Sequence, residues 1–295
     1  MISAISNISS LNATRYLNKS NNKLDTIYKR LSSGLRINSA KDDSAGLQIS
    51  NRLTSQIEGL KQGNKNAATG LAFAKTVEGA LDETTEMLQK IRTLANQAAT
   101  GTNTSAERTA IQAEVDQLCS EITRISCKTT FAGQQVLAGK GKGLVDSNGK
   151  VVLQVGANGD DTISISLSSG FSIKGIASNT DVGTSALKTH SGIDAFSVSS
   201  AQSAQTTLNE IDKFIASVDA SRGQLGAVQN RLEATISNQE NIIENESDAR
   251  SKIRDTDYAE EAANLTAQNI MQQMASAMLT QGNMRSQLAL SLISG

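Results

Sequence analysis

The chain has 295 residues, no proline, no tryptophan, an aromatic content of 3%, and a net charge of −1 from 28 basic and 29 acidic residues. Average usage would put roughly 15 prolines in a chain this long, so their absence points to long helices that must not be kinked. The balanced charge, with no interleaving of basic and aromatic residues, argues against nucleic-acid binding, and a core built from aliphatics and alanine rather than rings argues against a deep aromatic-lined ligand pocket.

The first residues, Met1 to Ile8, carry no basic region ahead of a long apolar run, so neither a general secretory signal nor a membrane span is expected. Leu17, Leu24 and Leu31 repeat every seven residues, with Ile27, Tyr28 and Leu35 at intermediate steps, which predicts one long amphipathic helix. A polar segment, 38–44, separates it from a second helical pattern carrying Ile49, Leu53, Ile57, Leu71, Leu81, Leu88 and Ile91 and running towards Ala98, with Gly59, Gly63, Gly70 and Gly79 as weak points. A turn over Thr100 to Ser105 then leads to a helix with Ile111, Val115, Leu118, Ile122 and Ile125, implying an antiparallel helical hairpin. Cys119 and Cys127 stand eight residues apart in that helix, ~12 Å along its axis and out of disulfide reach, so both are expected to be free thiols that pack.

From about residue 131 to 196 the texture changes. Glycines cluster, Ile163, Ile165 and Leu167 alternate with serines, and Asn158-Gly159 is a turn dipeptide, so a small β-hairpin-rich insert is expected. Helical spacing returns with Ile211, Val218, Leu225 and Leu232 every seven residues. The last segment carries Leu265, Met271, Met274, Met278, Leu288 and Leu292. The fold class is therefore mainly α, with long antiparallel helices in coiled-coil or bundle packing around that insert.

Charge divides the ends. Residues 1–36 hold six basic residues against Asp25 alone, residues 233–264 hold nine acids against three bases, and residues 265–295 carry only Arg285. A helix almost without charge but rich in glutamine suits burial among many copies, although a stripe at helical spacing is also what an intramolecular core would show.

Candidate chemistry is sparse. His190 is the single histidine and no partner motif accompanies it, so no catalytic, metal or cofactor site is expected. The run Gly139 to Gly143 lacks the Gly-Lys-Ser/Thr ending of a phosphate loop, and Asp146-Ser147-Asn148-Gly149 reads as a hairpin turn rather than a calcium loop.

The run Arg30-Leu31-Ser32-Ser33-Gly34-Leu35-Arg36-Ile37-Asn38-Ser39-Ala40-Lys41-Asp42-Asp43-Ser44-Ala45-Gly46 closely resembles the amino-terminal signature of bacterial flagellins. Leu225 to Leu232, Ser247 to Ala259 and the final Leu290-Ser291-Leu292 resemble the carboxyl-terminal motifs, so the likeness covers residues 1–140 and 200–295. The resemblance implies a subunit of the flagellar filament, folded as a hairpin. Residues 1–42 plus 255–295 would form a terminal coiled-coil domain at the filament core, and residues 43–254 a helical domain bearing the insert. Leu17, Leu24, Leu31, Leu265, Met271, Met274, Met278, Leu288 and Leu292 would form the filament interface. It further implies unfolded export through the flagellar type III apparatus to an extracellular filament, an export chaperone, cap and junction proteins, and no membrane or nucleic-acid partner.

The helix around Gln89, Lys90, Arg92 and Leu94, with Glu114 on the next helix, resembles the patch read by Toll-like receptor 5. Lys90 and Thr93 stand where arginine and glutamate are usual, and lysine lacks the two-pronged hydrogen bonding of arginine. The same face is equally expected to contact neighbouring subunits. The nearest alternative is a hook–filament junction protein, which shares the terminal helices but departs from the amino-terminal signature.

Overall fold

The computed structural model describes residues 7–167, 170–180, 187–190 and 193–294, with side chains at all of these except 179, 188–190, 193 and 285–294. Contacts divide the chain into two compact units, Met1–Ile57 with Glu244–Gly295, and Glu58–Ile243.

In the terminal unit, α1 (Ile8–Ser33) pairs with α6 (Tyr258–Ser294). Their partners run in opposite sequence order: the Asn7 side chain donates to the Gly282 carbonyl at 2.8 Å, Ser20 Oγ donates to the Gln268 carbonyl at 3.2 Å, and Arg30 meets Glu261 at 3.1 Å. The helices are therefore antiparallel. Asn7 also accepts from the Ser10 N–H and starts α1, while Gly34, at φ +71°, ends it with its N–H on the Arg30 carbonyl.

The Arg30 to Gly46 run that looked like a signature forms the joint between helices. Leu35 bridges Asp255, the Arg36 N–H donates to the Arg254 carbonyl at 2.7 Å, and the Arg36 guanidinium donates to the Ile253 carbonyl at 2.7 Å. Asp42 accepts from the Asn38 and Ser39 N–H groups, and these hydrogen bonds hold its carboxyl below the usual carboxylate range. Asp43 then accepts from the Ala45 and Gly46 N–H groups and opens α2 (Ser44–Ala99).

In the central unit, α2 turns back into α3 (Ser105–Lys128), whose Thr104 and Glu107 form a reciprocal capping box. Lys90 reaching Glu114 and Arg108 donating to the Ala98 carbonyl show the expected antiparallel hairpin. Among the described residues the insert holds three two-stranded antiparallel sheets: β1 (Thr130–Phe131) with β2 (Gln134–Gln135), β3 (Lys150–Gln154) with β4 (Thr162–Ser166), and β5 (Leu187–His190) with β6 (Ile193–Phe196). A short helix, α4 (Ile173–Asn179), which the sequence pattern did not suggest, follows β4, and α5 (Ala201–Arg254) runs on without interruption at Gly223 or Gly226.

Several expectations need correcting. Asn158-Gly159 does turn the chain, but not as the two central residues of a tight hairpin: Asn158 is the first residue of a turn closed by the Asp161 N–H, within the longer 155–161 connection. Asp146 to Gly149 makes a tight turn leading into β3, not a loop joining two paired strands. The core is less ringless than the 3% aromatic content suggested. Phe196 and Phe214 pack edge to face at 4.9 Å, and Phe73 and Phe131 at 5.5 Å, among Leu81, Leu88, Ile122 and Ile165.

Gly59, Gly63 and Gly70 of α2 are seats for the β3–β4 hairpin rather than weak points. A methyl on Gly59 would sit 2.8 Å from the Ala157 Cβ, and one on Gly63 would sit 2.7 Å from the Val155 carbonyl carbon, because the β3–β4 hairpin lies directly on the helix there. Asn66 donates to the Gln154 carbonyl and Gln239, from α5, to the Val155 carbonyl, fixing that approach. Glycine to alanine inside a helix ordinarily stabilises by about 0.5–1 kcal/mol. Gly79→Ala, with nothing within 4 Å, should follow that rule, whereas Gly63→Ala should destabilise by about 1–3 kcal/mol because the hairpin must lift. Paired urea melts check the opposite signs; two stabilising substitutions would contradict the packing.

Candidate functional site

The terminal unit leaves a groove of about 600 Å³ between α1 and α6, lined by Tyr16, Lys19, Lys23, Met271, Met274 and Met278 among others. Met271, Met274 and Met278 are 48%, 61% and 65% exposed. They recur at three and four residues, so they share one face of α6, which opens into the groove beside the line that packs on α1. Toward α1, α6 buries Glu261 and Gln268 instead, and Leu265 is half-buried.

On α1 the buried line is Ala13, Ser20, Leu24 and Ile27. Of the expected heptad, Leu24 is in that line, while Leu17 and Leu31 are half-buried at its edge. Polar residues share that line with the aliphatics: Ser20 Oγ donates to both the carbonyl and Oε1 of Gln268, and Gln272 donates to Asn21 at 2.8 Å. Leu288 and Leu292 lie on α6, and their side chains are outside the described residues.

The reason α6 can present methionines to water lies in what surrounds them. Arg30 and the buried Glu261 close one end of the α1–α6 pair with an ion pair, and Asn7 with Gly282 closes the other, so pairing does not depend on the methionine face. Ile8, Leu11 and Tyr16 on α1 are also more than half exposed. The terminal unit therefore carries far more unpartnered large apolar surface than a solvated helix pair needs.

The second predicted patch lies in the central unit. Gln89, Lys90, Arg92 and Glu114 are exposed, Lys90 pairs with Glu114 at 3.1 Å, and Arg92 pairs with Asp212 at 2.9 Å. Leu94 does not belong to that surface. It is 9% exposed and packs in the core with Leu88 and Ile91, because its spacing from them places it on the apolar side of α2.

The two cysteines also part company. Cys119 is buried beside Phe196, and burial pushes its thiol up to about 12, whereas Cys127 is exposed and does not pack as expected. Among the described residues, no cluster of three or more His, Cys, Asp or Glu side chains is placed to hold a metal ion. His190 lies on β5, and its side chain is outside the described residues. No helix among the described residues is long and apolar enough to cross a membrane.

Residues 5–142 match the bacterial flagellin N-terminal helical region, and residues 208–293 match the bacterial flagellin C-terminal helical region. A flagellin of Halalkalibacterium halodurans is 39% identical over 97% of this chain and 98% of its own length. Flagellin D of Vibrio anguillarum is 35% identical, again over 97% of this chain and 98% of its own. Among solved structures, a putative flagellar hook-associated protein from Vibrio parahaemolyticus superimposes with a TM-score of 0.56 over 72% of this chain and all of its own, at 15% identity, a likeness of fold alone. With matched regions at both ends and relatives this similar along nearly their whole length, the chain belongs to the bacterial flagellin family.

Proposed function

We propose that the α1–α6 unit is the polymerisation element of a flagellar filament subunit, and that its exposed methionine face is covered by sister copies. The chain is a structural, filament-forming protein by family, and its flagellin relatives support that reading over a hook–filament junction protein. The observation that carries the interface is the row Met271, Met274 and Met278, left exposed by a helix pair already closed by other contacts. Removing that apolar area from water contributes about 25 cal/mol per Å², and repetition through a non-closing contact produces a helical polymer rather than a closed ring.

In this reading residues 1–42 plus 255–295 form the filament core, and residues 43–254 lie outside it. Leu17, Leu31 and Leu265, half-buried at the edge of the pair, contribute to the same contacts, and Leu288 and Leu292 extend them. The chain is exported through the flagellar type III apparatus and assembles outside the cell. An export chaperone shields α6 before assembly, and cap and junction proteins meet the ends of the polymer. The exposed Gln89, Lys90, Arg92 and Glu114 face is a contact surface for neighbouring copies or for Toll-like receptor 5, with Lys90 and Arg92 each held by an acidic partner.

Purified chain added to short filament seeds should elongate them into helical filaments seen by electron microscopy, while a chain trimmed at both ends should stay monomeric by light scattering. Seeds that fail to grow, or a trimmed chain that still polymerises, would overturn the proposal.

A further inference from the structure

Two asparagine–glycine pairs occur in the chain, Asn148-Gly149 and Asn158-Gly159, and the fold treats them differently. An asparagine followed by glycine can convert itself. The glycine backbone nitrogen loses its proton and attacks the asparagine side-chain carbonyl carbon, closing a five-membered succinimide and expelling ammonia. Water then opens the ring to aspartate or isoaspartate. The reaction needs a glycine N–H free of any acceptor and room for the ring to close.

At Asn148-Gly149 these needs are not met. The Gly149 N–H donates to the Asp146 carbonyl at 2.8 Å, the Gly149 carbonyl accepts from the Leu167 N–H at 2.7 Å, and the backbone is held at φ +74°. At Asn158-Gly159, the Gly159 N–H has no acceptor among the described residues, and no atom lies within 4 Å of where its Cβ would be. The Asn158 carbonyl, half of the peptide that must ionise, accepts from the Asp161 N–H at 3.2 Å and from the Gln154 side chain at 2.5 Å. Two donors on that oxygen draw electron density from the peptide and make the Gly159 N–H more acidic. Among the described residues, the exposed Asn158 side chain is restrained only by a 3.3 Å hydrogen bond to Asp161.

We propose that Asn158-Gly159 is a self-modification site, converting by succinimide formation and hydrolysis into an acidic residue, while Asn148-Gly149 in the same insert is protected by its backbone hydrogen bonds. The product carries a new carboxylate next to Asp160 and Asp161 and loses the Asn158 donor to Asp161. Both changes loosen the turn beside the Val155 carbonyl that Gln239 holds, so the hairpin's seat on α2 and α5 weakens with age. This inference concerns the chain's own chemistry and does not depend on the filament reading.

The test incubates the folded full-length chain, and the same chain unfolded in urea, in mildly alkaline buffer, and follows both sites by peptide mass spectrometry. In the folded chain the 158 site should convert several-fold faster than the 148 site, and that preference should shrink in urea. Gly159→Ala should slow conversion at 158 several-fold without unfolding the chain, since its position is open and not left-handed. A 148 site that keeps pace in the folded chain, a preference unchanged in urea, or an unaffected Gly159→Ala rate would overturn the proposal.

Discussion

A chain carrying both Met274→Asp and Met278→Asp is expected to fold normally and to lose polymerisation completely. In the free chain these side chains are 61% and 65% exposed, so each aspartate stays in water and α1–α6 pairing through Ser20–Gln268 and Arg30–Glu261 is untouched. The intrinsic cost to α6 is no more than about 0.7 kcal/mol per residue. Inside a polymer the same positions become enclosed, and burying an unpaired carboxylate costs several kcal/mol per ion. Because every ~1.4 kcal/mol is tenfold in an equilibrium constant, two such penalties at each repeated contact move the elongation equilibrium far toward monomer. Light scattering should report monomer with or without seeds, and circular dichroism should match the parent. Met274→Leu with Met278→Leu, which keeps the apolar character, should still elongate seeds. Filaments formed by the aspartate variant would contradict the assignment of this face.

Phe214→Ala is expected to be the most damaging single truncation in the central unit, at roughly 3–5 kcal/mol. Phe214 is fully buried, and its ring stands edge to face with Phe196 at 4.9 Å and 70°. Phe196 in turn ties β6 to α3, because its carbonyl accepts from Gln112 and the Val198 N–H donates back to the same side chain. Loss of the Phe214 ring therefore removes packing from α5 and leaves the strand that Gln112 anchors without its backing. Urea unfolding of the central unit should shift by the stated amount, while the methionine face of the terminal unit keeps its exposure. A shift below about 1 kcal/mol would mean that the ring pair is not the centre of this core.

The helices were legible because their evidence is local. No proline interrupts the chain, and apolar residues recur at three and four from Leu17 through Ile125 and again from Leu208 through Ile243, so α1, α2, α3 and α5 stand where the spacing put them. What the spacing could not show was which neighbour each face meets. Gly59 and Gly63 looked like interruptions because the hairpin that needs them is some ninety residues further along the chain, and nothing near them announces it. Leu94 shows the reverse case. A linear likeness placed it on a surface patch, although its spacing from Leu88 and Ile91 already assigned it to the core. The short β1–β2 and β5–β6 pairs and α4 escaped notice because two to seven residues are too few to show a period. At the candidate interface, the methionine stripe was readable from spacing. Its exposure was not, since a stripe at helical spacing reads the same whether it faces a core or an absent partner.

Methionine oxidation footprinting reads the covering of this face, because sulfoxide formation reports access to each sulfur separately. Free chain and seeded filaments would be exposed to the same dose of peroxide, digested, and compared at Met271, Met274 and Met278. All three should oxidise readily in the free chain and be strongly protected in the filament. Equal oxidation in both states would show that the face stays open to water after assembly and is not the surface that sister copies cover.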